Sequence, residues 1–420
     1  MVRSIRYLVV LGAAGTLGSG STAGCGAAAQ SEATTAQAQP ATTDPCPSLG
    51  CGLNGAWLGA NVAFRELDLG PAPDTFRGQP NDAGLTIESF TFQGATASDG
   101  GVPMGIDVEG DELIGILPGV RLRGTKLKGA RITLVNKQDV HYFLDINDVT
   151  STGFWTERCT FNPEQTCPRE ELVPLYSITF TREGTHVKES VCGPATDPDQ
   201  PVSGLVVIFR GDQYDEPPPG AFSTPEPYHG PGYTVLSDPG STWFNIACAG
   251  TAIGKLHLLR HTNAAARPGG SVPGPASTAR TTTVDQRTAL LKMLTADYCG
   301  IGFPFTENGH RLTYTFEHSW EPLFPQTDGS VLDFAGVPTA SIDALWNEEG
   351  ALCIRVPRLS DQVPPQELAG RIRQRCGKDI PQDCRPSESL ASWNTRNAGL
   401  GSKSHAYAIS ANPRPFVIAR

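Results

Sequence analysis

Glycine and proline interrupt this chain so often that few segments are left long enough for a helix of three turns. Together they make 81 of 420 residues, about 19% against a usual ~12%. Between the interruptions lie short runs that alternate or are rich in β-branched and aromatic residues. Nine stand out: 85–92, 112–117, 130–135, 140–146, 175–180, 204–209, 243–248, 311–316 and 351–356. Short runs of this kind, bounded by turn residues, predict strands. The expected fold is mainly β with a few short helices, an α+β chain that is loop-rich and stapled by disulfides.

Two segments predict helices. Residues 283–297 (TVDQRTALLKMLTAD) combine good helix formers with Asp285 in the first turn and Gly300 beyond the end. Arg287 interrupts the apolar face of this segment. Residues 364–377 open on prolines and close on Gly377. Between Leu122 and Ile132 an apolar residue recurs every five positions, with Gly124 and Gly129 interleaved. About three such units are too few for a solenoid, so a twisted strand pair with glycine bends is expected. Residues 210–240 and 263–283 are rich in Pro, Gly, Ser and Thr and read as long loops.

The first residues pair Arg3 and Arg6 with a short apolar run from Tyr7 to Leu17. That is the pattern of a secretory signal, too short for a spanning helix of ~20 residues. Thr22-Ala23-Gly24-Cys25 resembles a bacterial lipobox, which implies cleavage before Cys25 and lipid attachment to its thiol. The alternative is ordinary signal-peptide cleavage further on. The cysteine count fits lipidation: eleven is odd, and removing Cys25 leaves an even set. The remaining disulfide candidates are Cys46, Cys51, Cys159, Cys167, Cys192, Cys248, Cys299, Cys353, Cys376 and Cys384. Ten cysteines allow roughly 945 pairings, so connectivity stays open. The simplest expectation is local bridges at 46–51, 159–167 and 376–384, with Cys192, Cys248, Cys299 and Cys353 pairing among themselves. No Cys-x2-Cys spacing suggests zinc.

Charge narrows the partners. Charged residues make up 18% of the chain and the net charge is -10. That argues against nucleic acid, whose phosphates need a Lys/Arg excess.

Toward the C-terminal half, WFNIACAGTAIGKLHLLR is followed by LLKMLTADYCGIGFPFTENGHRLTYTF and then by SIDALWNEEGALCIRVPRL. This series resembles the ADYC domain, named for the tetrad present here as Ala296, Asp297, Tyr298 and Cys299, with Gly300 after it. Cys248, Gly250, Lys255, Thr306, Gly309, Trp346, Gly350, Ala351 and Cys353 complete the pattern. The upstream GVRLRGTKLKGARITL resembles what often precedes the domain. The resemblance implies a bacterial exported protein of a family with no assigned activity. It also implies two further cysteines where this chain has Leu256 and Leu290, so that apolar packing here replaces a bond present in relatives.

The candidate chemistry is thin. Asp297 stands at a helix end before a glycine turn, where a carboxylate accepts backbone N–H groups, so its expected role is structural. Tyr298 is expected to pack and Cys299 to pair. His257 and His261 have the i, i+4 spacing of a zinc site, but the segment reads as a strand and no third ligand is near. Gly269-Gly270-Ser271-Val272-Pro273 lacks the final glycine of a nucleophile elbow and sits in a loop. The acidic stretch Asp212–Glu216 lacks calcium-loop spacing and reads as a solvated face. No cofactor, metal site or catalytic residue is assigned.

The reading that results has a signal peptide at 1–24 and a flexible tether at 25–45. A β-rich module follows at 46–150, and a β-rich middle segment with a Pro-rich loop at 151–240. An ADYC-like domain at 241–360 and a cysteine-containing extension at 361–420 complete it. The favoured function is a non-enzymatic envelope protein, held to a membrane by lipid at Cys25, that binds a protein or glycan or serves a structural role. Without the lipid it would be periplasmic or secreted. The alternative is a secreted hydrolase acting on envelope glycan or peptide, which requires a cleft joining Asp297 to Tyr314, His310 or His318.

Overall fold

The computed structural model describes residues 64–413 except 73–74, 77, 93–100, 154–171, 194–203, 216–231, 237–241, 263–281, 307–312, 317–323, 326–329, 333–337, 359–362, 377–383 and 401. The signal and tether segments, Cys25, Cys46, Cys51, Cys159, Cys167, Ser271, His310 and His318 lie outside the described residues.

In chain order the strands begin with β1 (Glu66–Asp68), β2 (Thr86–Phe92), β3 (Val102–Glu109), β4 (Glu112–Leu117) and β5 (Val120–Leu122). β6 (Ala130–Val135), β7 (His141–Gly153), β8 (Leu172–Arg182), β9 (Glu189–Ser190) and β10 (Val206–Arg210) follow. Then come β11 (Gln213–Asp215), β12 (Thr234–Leu236) and β13 (Trp243–Cys248). Two helices intervene, α1 (Ala252–Leu258) and α2 (Val284–Thr295). The second series is β14 (Thr313–Phe316), β15 (Phe324–Pro325), β16 (Ser330–Leu332), β17 (Pro338–Asn347) and β18 (Gly350–Ile354). Helices α3 (Pro365–Cys376) and α4 (Leu390–Asn397) and strand β19 (Ala408–Pro413) close the described chain. Each of the nine runs expected to be strands falls on a strand, and the fold is mainly β with short helices, as expected.

The first sheet has eleven strands in the order β1-β13-β10-β8-β7-β6-β2-β3-β4-β5, with β9 on β8. Its pairings are antiparallel. β7 and β8 pair along their length across residues 154–171, so one sheet passes through the place where the sequence suggested a division. The sheet coils back on itself. The β3–β4 turn reaches β10, where the Arg210 N–H donates to the Gly110 carbonyl at 2.8 Å. Successive residues of β10 face opposite cores: Val206 and Ile208 fill the interior of the coil, while Val207 and Phe209 face the helices. Burial on both sides is why this strand reads as a continuous apolar run.

Helix α1 packs on β10 and β13, and α2 packs on α1 and on strands of the second sheet. One core therefore joins Val207 and Phe209 of the first sheet, the helices, and Ala344, Trp346 and Ala408 of the second. Sandwiched in this way, α2 buries every residue from Gln286 to Thr295. A helix covered all round has no polar face to show, which is why its amphipathic pattern is weak. Its start is set by a capping box: Thr283 Oγ1 accepts from the Gln286 N–H, and the Gln286 side chain accepts from the Thr283 N–H. Leu256 and Leu290 are both fully buried in this core.

The second sheet has six strands in the order β14-β19-β17-β16-β15, with β18 on β17. Its third core packs the other face of β17 and β19 against Trp393 of α4. Strand β19 lies between β14 and β17 and is thus interior, although it comes last in the described chain.

Three sequence expectations are corrected. Of the stretch 256–261, expected to continue a strand, residues 256–258 instead close helix α1, with both sides covered by apolar neighbours. The five-residue repeat forms neither a solenoid nor a strand pair: β5 pairs with β4, β6 pairs with β2 and β7, and a 3-10 turn at Gly124–Leu127 separates them. The bridge expected at 376–384 does not form. Cys376 joins Cys299, and Cys384 joins Cys353. Cys192–Cys248 does pair within its expected group. Local spacing misled because Cys376 ends α3, which packs back onto the residues after α2. Among the described residues no helix is long and apolar enough to cross a membrane.

Candidate functional site

The tetrad begins where α2 must stop. Ala296 adopts the left-handed conformation (φ 52°), and its N–H reaches the Met293 carbonyl at 3.1 Å. The chain then turns through Asp297, whose carboxylate is fully buried. Oδ1 accepts from the Ile301 N–H at 3.1 Å and Oδ2 from the Gly302 N–H at 2.7 Å. Lys292 Nζ stands 3.8 Å from Oδ2 and donates to the Gly300 carbonyl at 2.9 Å. A buried carboxylate is tolerable only with such partners, since an unpaired charge in the interior is very costly.

Gly300 is required by two constraints at once. Its φ is +71°, and a Cβ there would stand 1.8 Å from the Glu349 carbonyl oxygen. The close approach brings the tetrad against the β17–β18 turn, where the Ala351 N–H donates to the Tyr298 carbonyl at 3.0 Å.

Tyr298 leads into a buried network. Its hydroxyl donates to Asp343 Oδ1 at 2.6 Å and accepts from the Arg358 N–H at 2.8 Å. Arg358 Nε donates to Asp343 Oδ2 at 3.0 Å. Its remaining nitrogens reach the Leu294 carbonyl at 3.2 Å and the Met293 carbonyl, both in the last turn of α2. A guanidinium at a helix C-terminus also meets the negative end of the helix dipole. Ser410 Oγ of β19 donates to Asp343 Oδ2 at 2.8 Å and accepts from Trp346 Nε1 at 2.7 Å. Trp346 stacks on Tyr298 with ring centroids 5.0 Å apart. Burial first, and then the Asp343 charge, push the Tyr298 hydroxyl well above the ordinary tyrosine range. A hydroxyl held neutral and bonded on both sides is a structural strut and a poor base.

Sequence reading singled out the tetrad but not Asp343, Arg358 or Ser410. Asp343 sits at a β-bulge: Ile342 pairs with Ala411 and Ala344 with Ser410, leaving Asp343 between them. Bulges re-aim a side chain, so strand alternation does not reveal its direction. The one available signal was an Asp and an Arg in otherwise apolar strand-like sequence.

The other expected residues go elsewhere. His257 Nδ1 lies 2.8 Å from Thr262 Oγ1, and its ring stacks on Phe209 at 4.4 Å. His261 Nε2 lies 2.7 Å from the Tyr314 hydroxyl. The two histidines have different partners, and no group of three metal-ligating side chains occurs among the described residues. Tyr314 is thus bonded to His261, while Asp297 faces backbone amides. Asp212, expected on a solvated face, is fully buried and pairs with Arg287 Nε at 3.1 Å. That pairing explains the arginine that interrupts the apolar face of α2.

The fold and the clasp around the tetrad define a class: a β-rich, disulfide-stapled protein whose motif residues lock a helix end onto a second sheet. The chain belongs to the ADYC domain family, which matches residues 124–360, more than half of its length. The match begins upstream of the 241–360 stretch that carries the tetrad and its flanking strands. No curated protein and no solved structure matches the chain.

Proposed function

We propose that this is an exported cell-envelope protein, anchored by lipid at Cys25, whose ADYC domain is a rigid non-catalytic platform for a ligand outside the inner membrane. The observation that carries the reading is the sealing of the tetrad. Asp297, Tyr298 and Cys299 are buried, and each is committed to a backbone amide, a neighbouring side chain or a disulfide. Groups so placed cannot reach a substrate, but they hold a surface in one shape. Disulfides at three buried or half-buried sites suit an oxidising compartment. The apolar run before Cys25 and the small polar residues after it supply the address and the tether.

The test is fractionation of cells expressing the full chain. The wild-type protein is expected in the membrane fraction, carrying a mass increment on its N-terminal cysteine. Cys25→Ala is expected in the soluble exported fraction. Membrane retention of that variant, or free thiols at Cys299 and Cys353 in the exported protein, would overturn the reading.

A further inference from the structure

The three disulfides found among the described residues differ in how far solvent reaches them. Cys299–Cys376 lies in the core between the sheets and Cys353–Cys384 in the core beside α4, and all four cysteines are buried. In Cys192–Cys248 only Cys248 is buried, and Cys192 is half-buried. Thiol–disulfide exchange needs an incoming thiolate to touch a sulfur, so access decides which bond reacts.

The surroundings of Cys192 leave room for that approach. The residue sits in a tight turn closed by the Gly193 N–H, which donates to the Ser190 carbonyl at 3.3 Å. Glu189 and Ser190 before it are exposed, and a Cβ at Gly193 would meet nothing within 4 Å. Strand β9 pairs with β8 alone, so among the described residues its other edge is open. An open edge offers unpaired backbone groups to a second chain.

The two ends of the bond are held unequally. Cys248 closes β13 in register with Val206, and its carbonyl accepts from the Thr251 N–H at 2.9 Å and from Thr251 Oγ1 at 2.7 Å. Cys192 belongs to a flap held by two residue pairs, Thr179↔Ser190 and Phe180↔Glu189, and by Val191. The Val191 N–H donates to the Ile178 carbonyl at 3.0 Å, and its side chain enters the core of the first sheet. Opening the bond leaves Cys248 in its strand and frees the flap, a segment with few other contacts.

We propose that Cys192–Cys248 is a thiol-exchange site, opened and closed by a dithiol protein of the export compartment while the two bonds of the second sheet stay shut. A thiolate of the dithiol attacks the Cys192 sulfur, the bridge breaks, and Cys248 leaves as a thiolate that takes a proton from solvent. The second thiol of the partner loses its proton, attacks the mixed disulfide and releases Cys192. Two electrons pass to the bridge, and the partner ends as a disulfide. The inference goes beyond the platform reading and rests only on the export it assumes.

The test treats the folded, oxidised protein with dithiothreitol in the absence of denaturant, quenches by alkylation and locates the label by peptide mass. Cys192 and Cys248 should label at least about tenfold faster than Cys299, Cys353, Cys376 and Cys384. Hydrogen exchange should then rise at residues 189–192 and stay unchanged in α2. A thioredoxin whose second active-site cysteine is replaced by serine should be caught as a mixed disulfide on Cys192. Labelling of the six cysteines together, earlier labelling of the second-sheet four, or absence of the adduct on Cys192 overturns the proposal. The envelope reading fails on different results, free thiols at Cys299 and Cys353 or membrane retention of Cys25→Ala, so the two failures are told apart.

Discussion

The two sheets solve the same problem by different means. The first is large, coils over its own core, and carries partly solvated ion pairs, as with Arg131 and Asp145 at 2.7 Å, beside a buried one, Arg65–Glu66 at 3.6 Å. The second is small, and its centre holds Asp343, Arg358, Tyr298 and Ser410 in one hydrogen-bonded set. Two disulfides, Cys299–Cys376 and Cys353–Cys384, brace it, whereas Cys192–Cys248 is the only one among the described residues on the first. Burial of apolar area grows with size, so a small layer gains less from its core and depends more on cross-links and specific polar contacts. The second sheet also takes its interior strand β19 from beyond the family match, which ends at residue 360. The matched stretch is thus not a closed structural unit.

That dependence can be broken outright. A chain ending at residue 360 loses β19, α3, α4 and both disulfide partners, Cys376 and Cys384. It should show no cooperative unfolding of the tryptophan signal and should accumulate as aggregate. Unfolding with the wild-type midpoint would show that the second sheet does not need its last strand. Next in size, Arg358→Met leaves Asp343 buried without its cation and should cost about 3–5 kcal/mol in denaturant titration. The matching change on the first sheet, Arg131→Met, should cost under about 1 kcal/mol, because that pair is partly solvated. Equal costs would erase the distinction between the sheets.

Removing the 299–376 bridge by paired serine substitution should cost about 2–4 kcal/mol, in keeping with the 77-residue separation it closes. A loss under ~0.5 kcal/mol would mean that apolar packing alone holds α3 to the tetrad. Tyr298→Phe should cost about 1–3 kcal/mol, by leaving an Asp343 oxygen and the Arg358 N–H unpaired.

The smallest effect belongs to the first sheet. His141 Nδ1 lies 2.6 Å from Glu183 and its Nε2 lies 3.2 Å from Glu88. The Glu183 hydrogen bond first, and Glu88 with it, raise the His141 pKa above the ordinary histidine value. The same contact lowers that of Glu183. Because the folded state holds the histidine proton more tightly, this stabilisation is complete below the unfolded histidine pKa. It fades as pH rises through the higher folded value. Glu183's share is lost in the opposite direction, as pH falls through its lowered pKa. The difference in melting temperature between wild type and Glu183→Gln should therefore be larger near about pH 6 than near about pH 8.5. A difference that does not change with pH would refute the pairing.

How far the chain could be read follows from where each signal resides. The nine strands were legible because alternation and turn residues are local. Helix α2 was legible from propensity, and its stop from Gly300. Helix α1 was not, since a segment covered on both sides presents neither period, and 256–261 reads as more strand. The structural role of Asp297 is legible locally, because a carboxylate before a glycine turn has amides to bind. Arg287 interrupts the apolar face because its partner, Asp212, lies far away in the chain.

By itself the sequence determined the strand-forming runs, the low and mixed charge, the cysteine set and the ADYC tetrad. All of these depend on neighbours within a few residues or on composition. The tertiary structure alone decided which cysteine meets which and that β19 enters the middle of a sheet. It also decided that a bulge turns Asp343 inward to Arg358. Each of these depends on distances between residues far apart in the chain, which the packing of α2 between two sheets sets and no local pattern encodes.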